Sequence, residues 1–234
     1  MKQEILKLID QELQKNRDLV YKAGATNFFK EKINPIGVRT PIVRKIAKKY
    51  FPHNQNRKDI FLLCERLLAK KTFEETIIAF DWVYRIKNDL VITDFARLEK
   101  WIKKYVDNWA FCDDFCTHPF GYLVFKYPEL VPKVKKWTKS KNRWFRRASA
   151  VIFIYAIKKK KFLRHVFEVA DILLFDPDVL VQKGYGWSLK VASNVYPTKV
   201  FQFVMNRNKK MPRTALRYAI EKYPLEMKKV AMGK

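Results

Sequence analysis

The sequence predicts an all-α protein built as an array of stacked helix pairs. Apolar residues recur at three- and four-residue spacing through most of the chain, which is the period of a buried helix face. Glycine is scarce, with 6 in 234 residues, which disfavours a turn-rich β fold or a glycine-rich phosphate loop. Helix starts recur about every 36 residues, the spacing of a two-helix repeat. Hydrophobic residues at 48% and aromatics at 15% supply enough apolar surface for a packed core.

Taken in order, the apolar helical stretches cover residues 5–13, 43–50, 60–68, 77–84, 98–105, 148–157 and 215–223. Prolines 35, 52, 119, 128, 177, 197, 212 and 224 punctuate them. Thr40-Pro41 reads as an N-cap followed by proline at the first helical position. Repeat helices are expected to start at Phe73, Trp109, Phe145 and Val181, each after a polar turn, with a weaker copy near Pro212. Aromatic–proline pairs recur at Phe51-Pro52, Tyr127-Pro128, Tyr196-Pro197 and Tyr223-Pro224. A helix pair cannot bury its apolar face alone, so successive pairs stack. The expectation is a HEAT-like helical-repeat solenoid, one domain over residues 1–234, with a concave basic groove.

The formal net charge is +26, from 49 basic and 23 acidic residues. It is uneven: residues 1–117 carry a net +7 and residues 118–234 a net +19. Self-repulsion on this scale destabilises a compact chain, and a polyanion relieves it. Nucleic acid fits best, because binding phosphates releases counterions. A lysine-rich solvated surface is the plainer alternative. Residues 133–147 hold eight basic side chains and no acidic one. Arg147 falls in phase with Lys183, and Arg143 and Arg146 flank the same turn, so a basic stripe on one face is expected. The lysine run at 158–161 reads first as a solvated turn.

No segment approaches the roughly 20 apolar residues that a membrane span needs, and the first residues form an amphipathic helix pattern, not a secretory signal. Cys64, Cys112 and Cys116 have no paired spacing, which suits reduced thiols in a cytoplasmic, intracellular protein. Cys112 and Cys116 lack the histidine pair that would complete a zinc site. No metal, cofactor or obligate protein partner is expected.

Two spacings stand out. Trp109 and Asp113 are four residues apart, which puts an indole and a carboxylate on one helix face. Trp187 follows Gly184 and Gly186, two helix glycines that make sense only where a neighbouring helix or a DNA strand comes close. By spacing alone, both tryptophans also fit core aromatics, with Asp113 capping or pairing locally.

The motifs Gly37-Val38-Arg39-Thr40-Pro41 with Arg44, then Trp109 and Asp113, then Trp144-Phe145-Arg146-Arg147-Ala148, then Gln182-Lys183-Gly184-Tyr185-Gly186-Trp187 occur in this order. Together they resemble the AlkD-type family of DNA alkylation-repair glycosylases, over nearly the whole chain. The resemblance implies a HEAT-like fold holding double-stranded DNA, and excision of purines alkylated at N3 or N7. It implies Trp109, Asp113 and Trp187 as the catalytic cluster and Arg147 as a DNA contact. Arg143, Arg146, Lys183, Arg44 and Thr40 are candidate DNA-binding residues beside them. Phe28 stands where the family often has tyrosine, which removes a hydroxyl contact. Lys190 stands where arginine is usual, keeping the charge without the bidentate geometry. A non-catalytic nucleic-acid-binding relative and a protein-binding scaffold are the competing classes.

Overall fold

The structure is a computed structural model that describes residues 2–233. No strand occurs among them, so the protein is all-α. They fall into two compact units, divided after Phe115.

The first unit holds α1 (Lys2–Lys15), α2 (Leu19–Phe28), α3 (Thr40–Lys49), α4 (Arg57–Ala69), α5 (Phe73–Arg85), α6 (Asp94–Tyr105) and most of α7 (Trp109–Thr117). Its core is aromatic: Phe61, Phe80 and Trp82 are almost fully buried. The Trp82 indole donates to the Ala47 carbonyl at 2.8 Å, so its one polar group is satisfied.

The second unit holds α8 (Pro119–Lys126), α9 (Val131–Lys136), α10 (Arg143–Val151), α11 (Ile154–Ile157) and α12 (Leu163–Ile172). It continues with α13 (Val179–Ser193), α14 (Pro197–Met205), α15 (Arg213–Ala219) and α16 (Leu225–Met232). Here α13 is central and packs against both α10 and α15. No described helix is long and apolar enough to cross a membrane.

The repeat shows in the start points. Helices begin at Phe73, Trp109, Arg143, Val179 and Arg213. The third and fourth start two residues before the expected Phe145 and Val181. The reason is the cap: Asn142 accepts from the Trp144 amide and Asp178 from the Leu180 amide, each at 2.8 Å. Thr72 and Asn108 do the same at the earlier starts. Contacts between successive copies keep the period. Ser188 donates to the Ala150 carbonyl 38 residues back, Arg207 to Asp171 across 36, and Arg57 to Asp94 across 37.

Three local expectations need correction. Thr40 is not the cap of α3: Arg39 holds that position without a side-chain bond, and Thr40 and Pro41 open the helix. Residues 148–157 are not one helix, because α10 ends at Val151 and α11 begins at Ile154. The last apolar stretch likewise stops at Ala219, and Pro224 caps α16 instead.

Candidate nucleic-acid interface

In the first unit, a cleft of about 460 Å³ lies between α2, the 33–40 segment and the starts of α5 and α7. Phe28, Phe29, Phe73 and Trp109 line it, with Thr40 and Glu74. The Phe29 ring stacks on Trp109 at 5.1 Å, and Phe28 meets the same indole edge-on at 6.0 Å. Phe28 itself is 69% exposed, so an apolar ring stands in solvent beside the indole.

One carboxylate shapes this cleft. Glu74 is buried and accepts three backbone amides, from Ile36 at 2.8 Å, Gly37 at 2.8 Å and Val38 at 2.9 Å. Those charge-assisted bonds satisfy donors that a buried loop would otherwise leave open. Gly37 has φ +110°, and a Cβ there would sit 2.7 Å from the Asp18 carbonyl oxygen. The Gly37-Val38-Arg39 part of the motif is therefore a tight loop pinned at the rim of the cleft, and Thr40-Pro41 opens α3 after it. Glu74 carries no signal of this role in the sequence: it sits in a first helical turn, where acidic residues are common for dipole reasons.

The fold also explains the half-exposed face of α7. Phe111 and Phe115 pack on Phe73, Phe80 and Trp101, and Cys112 and Cys116 are buried with them. Burying each phenyl ring contributes about 1.5–3 kcal/mol. That orientation leaves Trp109, Ala110, Asp113 and Asp114 half-buried. Asp114 turns to Arg44, which donates to it at 2.5 Å and lies 3.5 Å from Asp81. Arg44 is thus already engaged by two carboxylates.

In the second unit, Trp187 is half-buried on α13. The two glycines before it receive neighbouring helices. A Cβ on Gly184 would lie 3.1 Å from Arg147 Cγ, and one on Gly186 would lie 2.8 Å from the Ala215 carbonyl oxygen. Of the two approaches open in the sequence, a neighbouring helix accounts for both positions. Arg147 is only 5% exposed and donates to the Leu180 carbonyl. It fills the notch at Gly184 and does not stand out from the surface.

The other basic candidates are held as well. Arg146 donates to Asp176 at 2.6 Å, Arg143 lies 2.9 Å from Asp178, and Lys190 donates to Glu221 at 2.7 Å. Lys183 is half-buried on α13. The lysines at 158–161 are all exposed, and the Lys161 ammonium lies over the Phe125 ring. Glu168 is shared by Lys135, His165 and Arg164, and the Lys135 ammonium first of all draws its carboxyl down to about 2. Among the described residues, no group of three or more His, Cys, Asp or Glu side chains is placed to hold a metal.

The fold is similar to that of a solved structure described as a predicted DNA alkylation repair enzyme from Enterococcus faecalis. The TM-score is 0.78 at 16% sequence identity, with 90% of this chain and 98% of that chain covered. Comparison with curated proteins gives no match. The family model for DNA alkylation repair enzymes matches residues 9–223. By that match over most of its length, the chain belongs to the DNA alkylation repair enzyme family.

Proposed function

We propose that the protein is a DNA glycosylase that removes cationic N3- or N7-alkylated purines from double-stranded DNA. The observation that carries this reading is the half-exposed face of α7, where an indole bordering an aromatic cleft lies one turn from a half-buried carboxylate.

An alkylated purine already bears positive charge, so it leaves without a strong general acid. The electron pair of the glycosidic C–N bond departs with the base, which becomes neutral. Positive charge develops on the sugar, water adds to C1′, and one proton is released. Asp113 is assigned the role of stabilising that charge and orienting the water, as carboxylates do in glycoside hydrolysis. Trp109 faces the cationic lesion, where an indole contributes about 0.5–2 kcal/mol. Phe29 stacks on one face of Trp109, so the substrate is assigned to the other. Trp187 is assigned a supporting cation contact by resemblance. Arg143, Arg146, Lys183, Lys190, Arg44, Thr40 and Phe28 are the proposed DNA contacts in a HEAT-like stack, and Arg147, given as a contact by the resemblance, would have to leave the Gly184 notch to reach a phosphate.

The test is single-turnover release of free base from DNA bearing N7-methylguanine. The parent should release it, and Asp113→Asn should lower the rate by on the order of 10²-fold or more while keeping DNA affinity. Full activity in Asp113→Asn would sink the proposed chemistry. Absence of release by the parent, with binding intact, would make the protein a non-catalytic member that holds DNA.

A further inference from the structure

A second groove, of about 920 Å³, runs between α4 and α6 of the first unit and shares no lining residue with the cleft at Trp109. Its lining carries six basic side chains and two acidic ones, Glu65 and Asp94. Both acids are engaged at the groove: Arg57 donates to Asp94 at 2.6 Å, and Arg97 lies 3.5 Å from Glu65. That leaves Lys58 and Arg66 on α4 and Lys100 and Lys104 on α6, all four exposed. The floor is Phe61 and Trp101, buried edge to face at 5.7 Å. A rigid apolar floor carrying cations along both walls is a trough for an extended polyanion.

The spacing suits a nucleic-acid backbone. Lys58 and Arg66 are eight residues apart on α4, a row of about 12 Å, and Lys100 and Lys104 are four apart on α6, a row of about 6 Å. About three phosphates of one DNA strand, at 3.4 Å axial rise each, fall along the α4 row. Arg57 and Arg97 are held by carboxylates, and three of the remaining four cations are lysines, which meet phosphate as point charges.

We infer that the α4–α6 groove is a second DNA-backbone site, so that one chain holds two DNA segments. It stands apart from the excision reading, which needs only Trp109, Asp113 and Trp187. The probe is a duplex of about ten base pairs, titrated at low salt, where phosphate contacts dominate. The variant is Lys58→Gln/Arg66→Gln/Lys100→Gln/Lys104→Gln; all four side chains are exposed, and its melting curve checks that the fold is kept. The parent should bind two duplexes per chain and the variant one, with at least tenfold weaker occupancy of the second. Equal stoichiometry in parent and variant would overturn the second site. A parent that binds one duplex and a variant that binds none would support the groove and count against DNA at the Trp109 face. Polyglutamate binding the groove more tightly than DNA would overturn the assignment to nucleic acid.

Discussion

Helices α7 and α13 each present a half-buried tryptophan, yet they are built in opposite ways. On α7 the aromatic residues go inward, and the outward face keeps Ala110 and two half-buried carboxyl groups. On α13 close packing governs the inner faces: Gly184 receives the Arg147 side chain and Gly186 the backbone of α15. The first arrangement leaves polar groups partly exposed. The second secures position. The half of the chain with the larger positive charge also ties its conspicuous arginines to Asp176, Asp178 and a backbone carbonyl. Its excess charge is presented instead by exposed lysines such as those at 158–161. Charge density in a sequence therefore does not name the residues that meet a phosphate.

The contrast is broken most severely at the first unit's clamp. Glu74→Ala orphans three buried amides, each costing about 1–3 kcal/mol when left without an acceptor. Partial access of water to the loop should reduce the sum, and a loss of about 4 kcal/mol in urea unfolding is expected. Glu74→Gln keeps one acceptor oxygen and should fall between. A loss under about 1 kcal/mol in the alanine variant would show that packing alone positions the loop.

The second unit should respond to bulk. Gly186→Ala sets a methyl 2.8 Å from the Ala215 carbonyl oxygen and 2.8 Å from Tyr218 Cβ, so α13 and α15 must part. Overpacking of this kind costs about 2 kcal/mol. A denaturant midpoint unchanged from the parent would show that α15 yields freely.

These two sites mark what a sequence read alone can and cannot reach. Helix starts were legible to within two residues: Phe73 and Trp109 stand as expected, and the caps Asn142 and Asp178 set the next two starts two residues early. The alignment of Trp109 with Asp113 was legible from helix geometry. The Glu74 clamp was not, since its partners lie 36 to 38 residues away. That separation is close to the repeat, so periodicity says where such partners lie, but not which polar residue takes them. The burial of Arg147 was hidden for a related reason. A cation in phase with Lys183 suits a surface stripe equally well until the notch at Gly184 is seen to fit it.

A smaller effect should follow pH. Glu168 is held by Lys135, by His165 at 3.1 Å and by Arg164 at 2.7 Å. Its folded pKa is lowered from 4.5 to about 2. A depressed carboxyl contributes stability that is fully present above its unfolded pKa and lost as pH falls through the folded value. The window is thus from about pH 4.5 down to about 2. The side chain is about a third exposed, so solvent screening limits the contribution to about 1 kcal/mol. Glu168→Gln should melt lower than the parent near neutrality, and the two should converge toward pH 2. A constant difference across that range would show that the carboxylate charge contributes nothing.

The mildest test asks whether the internal pairs of the second unit mask DNA contacts. Asp178 does two things: it caps α13 through the Leu180 amide, and it holds Arg143 at 2.9 Å. Asparagine caps a helix about as well as aspartate, so Asp178→Asn should keep the start of α13. It removes only the charge facing Arg143. If Arg143 borders bound DNA, the freed guanidinium gains a phosphate and the variant binds DNA more tightly, by about 0.5 kcal/mol, the scale of an exposed ion pair. The log–log salt slope should steepen by up to about 0.9, the value for one added phosphate. Truncating Arg143 cannot separate these cases, because it leaves Asp178 as an uncompensated anion that repels DNA whatever the arginine does. Unchanged affinity and slope in Asp178→Asn would remove Arg143 from the proposed interface and leave it as a brace between the loop at 176–178 and α10.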